Sequence, residues 1–273
     1  MVRVYLSGNP VHDLVLKAFY EGCPEEKELV SDFDYKPSDM AVVFGVFKSR
    51  VKQSWPRGQV IQQQRNDKLG VIVLETGYVN RGDGKNHHYA AGFNGLNGRA
   101  DFRNKKMPDD RWKKLGVVLE PYKGGDNILL CGQVPWDASV DHHDHLKWLK
   151  MAGSFLQKIS ERKVVFRPHP LAPIVPIYGC EYSQGKPLSE DLLNAYTVVT
   201  FNSNTGVDGL IAGKPVFAFD EGSMCGDLAN RNMLYVDDPK RPSREQWAHD
   251  LAYTQWTPDE MGEGLAWSHL FRS

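Results

Sequence analysis

The sequence predicts an α/β fold built from two parallel-sheet units. Three observations carry this. Short apolar, β-branched runs recur along the chain, as expected of strands covered on both faces. Helix-period segments separate them, which is the pattern of βαβ units. Polar segments follow several of the runs, at the strand ends where open parallel sheets bind ligands.

The elements follow in order. VRVYL (2–6) reads as the first strand and leads through Ser7-Gly8-Asn9-Pro10 into a helix near 11–21. AVVFGVF (41–47) is a near-continuous apolar strand, 54–68 reads as helical, and GVIVLE (70–75) is another buried strand. From Thr76 to Tyr122 the pattern breaks into a stretch rich in Gly, Asn, Arg and Lys. Loops this long inside a domain are functional or disordered. The interleaved Tyr78, Tyr89, Phe93, Phe102 and Trp112 argue against disorder. Alternation resumes with NILLCG (127–132), and Leu146, Leu149, Ala152, Leu156 and Ile159 then share one helix face. KVVFR (163–167), TVVTF (197–201) and PVFAF (215–219) complete the second set of strands. Helical patterns near 243–254 and 258–271 close the chain. The expected organisation is a Rossmann-like domain over 1–120 carrying the long loop 76–122, and a second over 121–250. A terminal helix within 251–273 would pack back on the first domain, and the two sheets would face a cleft.

Composition narrows the class. Of 273 residues, 41% are hydrophobic, an ordinary share for a globular protein. The net charge of −1 provides no global field for nucleic acid or anionic membrane, so such a partner needs a local patch. Cys23, Cys131, Cys180 and Cys225 form no C-x-x-C pair, which argues against a zinc module and a disulfide scaffold. A reducing, cytoplasmic setting is the simplest expectation. No apolar run reaches the roughly 18 residues of a membrane span, and MVRVYLSGNP reads as a strand, not a signal peptide.

Five segments could carry chemistry. In Arg167-Pro168-His169-Pro170, both Arg167 and His169 precede prolines and are held extended, so the imidazole is fixed at a strand end; the alternative is a proline turn with an incidental histidine. In Asn202-Ser203-Asn204-Thr205-Gly206, amide and hydroxyl donors open a helix, either as ordinary caps or as a phosphate site. Parallel strands would bring this segment and His169 to one sheet edge, where Arg167, His169, Ser203, Asn204 and Thr205 could clamp a phosphate. Glu75-Thr76-Gly77-Tyr78 puts a carboxylate at another strand end, as a general base or as a solvated acid. Gly132 and Gln133 form a turn placed for ligand contact, while Asp141-His142-His143-Asp144-His145 reads as a solvated loop leading to a helix cap. Finally, 99–114 holds seven basic and three acidic residues. Arg99, Arg103, Lys105, Lys106 and Trp112 could meet a polyanionic acceptor there, with Phe102 beside them, or the segment is a solvated face.

With these segments in view, the chain resembles the glycosyltransferases of two-Rossmann-domain type, the glycosyltransferase-B architecture. Within them it is similar to the capsular-polysaccharide, Kdo-transferase-type group. Glu75-Thr76-Gly77-Tyr78 resembles that group's Glu-Asp-Gly-Phe. Gly132-Gln133, Asp137-Ala138-Ser139, His169-Pro170 and the stretch Ser203 to Val216 resemble its later motifs, in the same order.

The resemblance implies an inverting, nucleotide-sugar-dependent transferase with no metal and no cofactor beyond the donor cosubstrate. It implies that 1–120 is the acceptor side and 121–250 the nucleotide-sugar side. His169, Ser203 and Thr205 would hold the leaving phosphate, and Glu75 would be the base. The group's Asp falls on Thr76, which leaves Asp83 and Asp101 as alternative bases. The acceptor is a saccharide or, as in phage enzymes that glycosylate their own genomes inside the host cytoplasm, a hydroxymethylated base in duplex DNA. A nucleotide-sugar epimerase and a non-catalytic nucleotide- or DNA-binding module are the alternatives.

Overall fold

The computed structural model describes residues 1–31, 35–46, 57–140, 142–173, 176–183 and 185–272. The chain divides into two compact units, Met1–Val117 with Gln246–Ser273, and Val118–Glu245.

The first unit is a six-stranded sheet. Its strands are β1 (Val2–Tyr5), β2 (Lys27–Val30), β3 (Met40–Phe44), β4 (Gly70–Thr76), β5 (Tyr89–Phe93) and β11 (Gln255–Trp256), in the order β11-β5-β4-β3-β1-β2. β2, β1, β3 and β4 run parallel; β5 and β11 are added antiparallel. The apolar runs are continuous because both faces are covered. Val4, Val42, Phe44, Ile72 and Leu74 pack with Leu16 and Phe19 of α1 (Pro10–Gly22), whereas Tyr5, Ala41, Val43 and Val73 pack with Val60 and Ile61 of α2 (Arg57–Asn66). Asn9 starts α1 by accepting hydrogen bonds from the Val11 and His12 N–H groups, and Pro10 fills the first turn. The carboxyl ends of β1 and β3 flank the point where strand order reverses, the crevice position of open α/β sheets.

Helices α3 (Asp110–Leu115), α7 (Glu245–Ala252), α8 (Pro258–Gly262) and α9 (Leu265–Leu270) complete this unit. Buried Gln255 accepts from the Tyr78 and Val79 N–H groups and donates to the Val79 carbonyl, which clamps the turn after β4. Arg111 stacks 3.8 Å above the Trp256 ring and pairs with buried Glu260, which Lys114 also reaches.

The second unit is an all-parallel sheet of β6 (Asn127–Cys131), β7 (Val164–Arg167), β8 (Glu181–Tyr182), β9 (Ala195–Thr200) and β10 (Val216–Ala218), ordered β10-β9-β6-β7-β8. That is the Rossmann order, with its reversal between β6 and β9. α4 (His145–Ile159), α5 (Leu188–Asn194) and α6 (Thr205–Ile211) pack around it. Leu149, Ala152 and Leu156 of α4 bury against Ile128, Leu130, Val164 and Phe166.

Several expectations shift. The strand at 41–47 stops at Phe44 because Gly45 turns with φ +73°. Phe47, residues 54–56 of the expected second helix and Asp141 lie outside the described residues. The stretch 76–122 is not a bare loop: it holds β5 and α3. YAAGF is a poor strand former by propensity, and it is a strand because it pairs with β4 over five residues. β2 and β8 are short and half exposed, so they carry no continuous apolar signal. Among the described residues, no helix is long and apolar enough to cross a membrane.

The Glu260 pair makes acid stability testable. Burial opposes the charge, but hydrogen bonds from Arg111 and Lys114 outweigh it and hold the carboxyl at about 2, below its ordinary 4.5. A depressed folded value adds stability above pH 4.5 that is lost as pH falls towards 2. Glu260→Gln should therefore cost about 3 kcal/mol at neutral pH and flatten the acid limb of a urea-midpoint titration.

Candidate functional site

In the second unit the candidate residues gather where the parallel strands end. Gln133, just past β6, donates from Nε2 to Asn202 Oδ1 at 2.6 Å, and the Asn202 N–H returns a bond to Gln133 Oε1 at 3.0 Å. This reciprocal pair splints the ends of β6 and β9. Asn202 Nδ2 also donates to the Ser139 carbonyl at 2.8 Å and to Asp220 Oδ1 at 2.6 Å. Asp220 in turn takes the Gly222 N–H and contacts His142 Nε2 at 3.0 Å. Gln133, Asn202 and Asp220 are all buried. Gln133 thus acts inside the protein and fixes the turn that Gly132 begins.

The loop after Ser139 is exposed at His142, His143 and Asp144, as the sequence suggests, and only His145 is buried, but its histidines also make specific contacts. His142 reaches Asp220, His143 stacks on Phe201 at 4.7 Å, and buried His145 accepts the Gln133 N–H at Nε2. Asp144 caps α4 through the Lys147 N–H, as the sequence suggests. His142, His143 and His145 tie this loop to Asp220, Phe201 and Gln133.

His169 stands past β7. Its Nδ1 accepts the Leu171 N–H at 3.2 Å, so the neutral ring carries its proton on Nε2 as a donor. Its carbonyl takes the Ala172 N–H, closing the turn around Pro170 and Leu171. Burial pushes the imidazole below its ordinary value, and Asp137 opposes that shift. Burial is what favours the neutral ring. Arg167 is committed elsewhere: its Nη1 lies 2.6 Å from Asp191 Oδ2, and Asp191 also takes the Ser183 hydroxyl.

Past β9, Ser203 Oγ and Thr205 Oγ1 sit 3.0 Å apart, and Ser203 Oγ accepts the Thr205 N–H. Asn204 begins α6 without a side-chain cap bond. That helix has seven residues, so its dipole is small and the two hydroxyls supply most of the polarity. β7 and β9 flank β6, which sets their ends roughly 10 Å apart.

In the first unit, Glu75 is the penultimate residue of β4. Its Oε1 accepts the Thr76 N–H at 2.9 Å. Arg57 Nη1 and Glu75 Oε2 both lean over Gly45, lying 2.9 and 3.5 Å from where a Cβ would stand. Gly77 is a packing glycine, since a Cβ there would meet the His88 carbonyl at 2.5 Å and Gln255 Oε1 at 3.0 Å. Tyr78 is buried beneath it. His12 stacks on Phe44 at 4.0 Å; burial and Arg57 push it down, against Asp13 and Asp83. Asp83 is exposed within electrostatic reach of His12. Asp101 bridges to Phe93, which pairs with Ile72 near the start of β4. It therefore lies towards the opposite end of that strand from Glu75.

Much of the basic segment is engaged in ion pairs. Arg103 pairs with Asp101, Lys113 with Asp109, and Arg111 and Lys114 with Glu260. Phe102 is 6% exposed and Trp112 8%, so both expected stacking rings are turned inward. Lys105 and Lys106 remain exposed.

With this geometry in place, the fold can be matched to known ones. No protein-family model and no curated protein sequence matches the chain. Solved structures do. The KpsC β-Kdo 2,4 transferase of Thermosulfurimonas dismutans superposes with a TM-score of 0.63 at 16% identity, over 91% of this chain and 89% of that one. The KpsC β-Kdo 2,7 transferase of the same organism gives 0.59 at 15% identity, over 97% and 98%. The shared property is the two-domain, glycosyltransferase-B-like fold.

Sequence reasoning missed His12, Asp13, Arg57 and Asp220 as parts of these edges. For His12 and Asp13 a signal existed: Ser7-Gly8-Asn9-Pro10 is itself a strand end opening a helix. Asp13 Oδ1 accepts from both the backbone and hydroxyl of Ser7. Asp220 had none, because its partners are distant in the chain.

The buried network is the stability test of this edge. Asn202→Ala strands the Gln133 amide and the Asp220 carboxylate without their partner. It should cost about 2–4 kcal/mol, read as a lower thermal midpoint, whereas Ser203→Ala should lie within about 1 kcal/mol of the parent.

Proposed function

We propose that this protein is a nucleotide-sugar-dependent glycosyltransferase, inverting and metal-independent, that transfers a sugar to a hydroxyl of a saccharide. One observation carries this: His169, Ser203 and Thr205 occupy the carboxyl edge of a Rossmann sheet in a chain whose fold matches Kdo transferases over nearly its whole length. The Val118–Glu245 unit takes the donor, and the unit of Met1–Val117 with Gln246–Ser273 is the acceptor side.

The chemistry needs three things. A base must take the acceptor hydroxyl proton; Glu75 is assigned that role, since its carboxylate stands near the end of β4 beside Arg57. The acceptor oxygen then attacks the anomeric carbon. The bond from that carbon to the phosphate oxygen breaks, and its electron pair leaves with the nucleotide. His169 Nε2–H and the Ser203 and Thr205 hydroxyls donate to the growing phosphate charge. A neutral imidazole suits this task, because it keeps its Nε2 proton for the phosphate.

A saccharide is favoured over DNA as acceptor. Phe102 and Trp112 are inward, and at least four of the seven basic residues of 99–114 are already paired. A Kdo-type donor is the first to try, on the strength of the neighbours' activities.

Nucleotide release should be measured from CMP-, UDP- and GDP-sugars with saccharide acceptors or hydroxymethylated duplex DNA. Turnover with a saccharide is expected. No turnover, with no donor raising the melting temperature, would sink the proposal; release without acceptor would point to the epimerase reading. His169→Ala should lower kcat/KM about 10²–10³-fold, and His169→Gln, which keeps a donor near the Nε2 position, should lose less. Glu75→Gln should lower kcat about 10²–10⁴-fold with donor affinity unchanged; unaltered kcat would move the base to Asp83.

A further inference from the structure

α4 buries one face and leaves the other open. Leu149, Ala152 and Leu156 point into the core. The outward stripe is Lys147, Lys150, Met151, Ser154, Phe155 and Lys158, with Leu146 at its start. Met151 is 62% exposed. No residue of His145–Ile159 is acidic.

The stripe is the ridge between two grooves. One, of about 540 Å³, runs past Trp148, Phe155 and Met233. The other, of about 860 Å³, runs past Leu146, Pro176, Ile177 and Tyr178. Lys150, Ser154 and Lys158 border both. Further exposed apolar residues extend the patch: Tyr178, which is 97% exposed, on one flank, and Leu234 and Tyr235 on the other. This is an apolar surface with cations running through its middle, and it lies apart from the strand ends that carry His169 and Ser203.

We infer that the outer face of α4 docks the protein on an anionic membrane surface. Exposed apolar patches of this kind mark interaction sites, and the charge pattern selects the partner. Protein interfaces deplete lysine at their centre, whereas here the lysines form the centre. Lysine suits a bilayer: its stem lies along apolar surface while its ammonium reaches the headgroup plane. Met151 and Phe155 between the lysines then enter the headgroup–acyl boundary, as the apolar face of an interfacial helix does. Each lysine near an anionic leaflet contributes independently and is screened by salt. None of this depends on the reaction assigned above.

The test is sedimentation of the full chain with vesicles of phosphatidylcholine containing phosphatidylserine, against vesicles of phosphatidylcholine alone. Binding to the anionic vesicles that weakens with added salt is expected. Lys150→Ala should weaken it about fivefold, and Met151→Asp should abolish it. Both positions are exposed, so the variants should melt as the parent does, which separates lost docking from lost folding. No binding to the anionic vesicles, or binding that neither substitution changes, overturns the inference. So does self-association in solution that Met151→Asp dissolves while vesicle binding is absent, since the face would then join two copies of the chain.

Discussion

The reciprocal amide pair of Gln133 and Asn202 is the constraint on which the second unit's edge depends. It joins the two strands between which the sheet order reverses, at the position where neighbouring connections diverge to opposite faces. The β6–β9 ladder runs in register to Cys131 and Thr200, and the side-chain pair carries the link one step beyond it. Asn202 then fastens the Ser139 carbonyl and Asp220, so the loop after β6 and the segment after β10 are tied to the same point. His142 and His143 extend the tie through Asp220 and Phe201. Functional side chains need such support to hold their geometry, and here the support is buried while Ser203, Thr205 and His169 remain partly open.

The same economy separates two neighbouring groups of opposite character. Arg167 and His169 are two residues apart, yet only His169 is uncommitted to an ion pair. The guanidinium is spent on Asp191, a buried carboxylate that would be costly to leave alone. The imidazole is kept neutral by burial and oriented by one backbone N–H. The prolines on either side make this possible, because they hold the strand end extended and remove donors that would compete for its partners. A stiff backbone, a defined tautomer and a neighbour whose charge is cancelled together leave Nε2–H as the polar group of that turn.

The parallel strands were legible in the sequence because their burial is two-sided. The runs at 2–6, 70–75, 127–132, 163–167 and 197–201 each cover an observed strand to within two residues at either end. Strands lacking that signature, such as YAAGF and Gln255–Trp256, were not legible: their pairing is supplied by β4 and by each other, not by their composition. His169 and the Ser203–Thr205 pair could be placed at one edge because parallel topology follows from alternation. The Asp220 tie and the Arg57–Glu75 approach could not, since each joins residues whose nearness is decided only by the folded sheet. The histidine-rich loop was legible as an exposed lead into α4, but its contacts with Asp220 and Phe201 were not, because those partners lie far along the chain.

The basic segment 99–114 shows why a local charge count is a weak guide to a partner. Its excess of positive charge is real in the sequence, but a field at the surface depends on where the counter-charges fold. Glu260, far along the chain, pairs with both Arg111 and Lys114 and answers part of their charge. Asp101 and Asp109 pair with two more cations from within. The aromatic residues that made the segment resemble a stacking surface instead supply its core contacts, with Tyr78 edge-on to Phe102 at 6.2 Å. α4 presents the reverse case. Its sequence reads as an ordinary amphipathic helix, and its lysines gain meaning only because no acidic residue of the helix answers them and apolar side chains lie exposed between them. Charge becomes recognition where the fold leaves it unanswered.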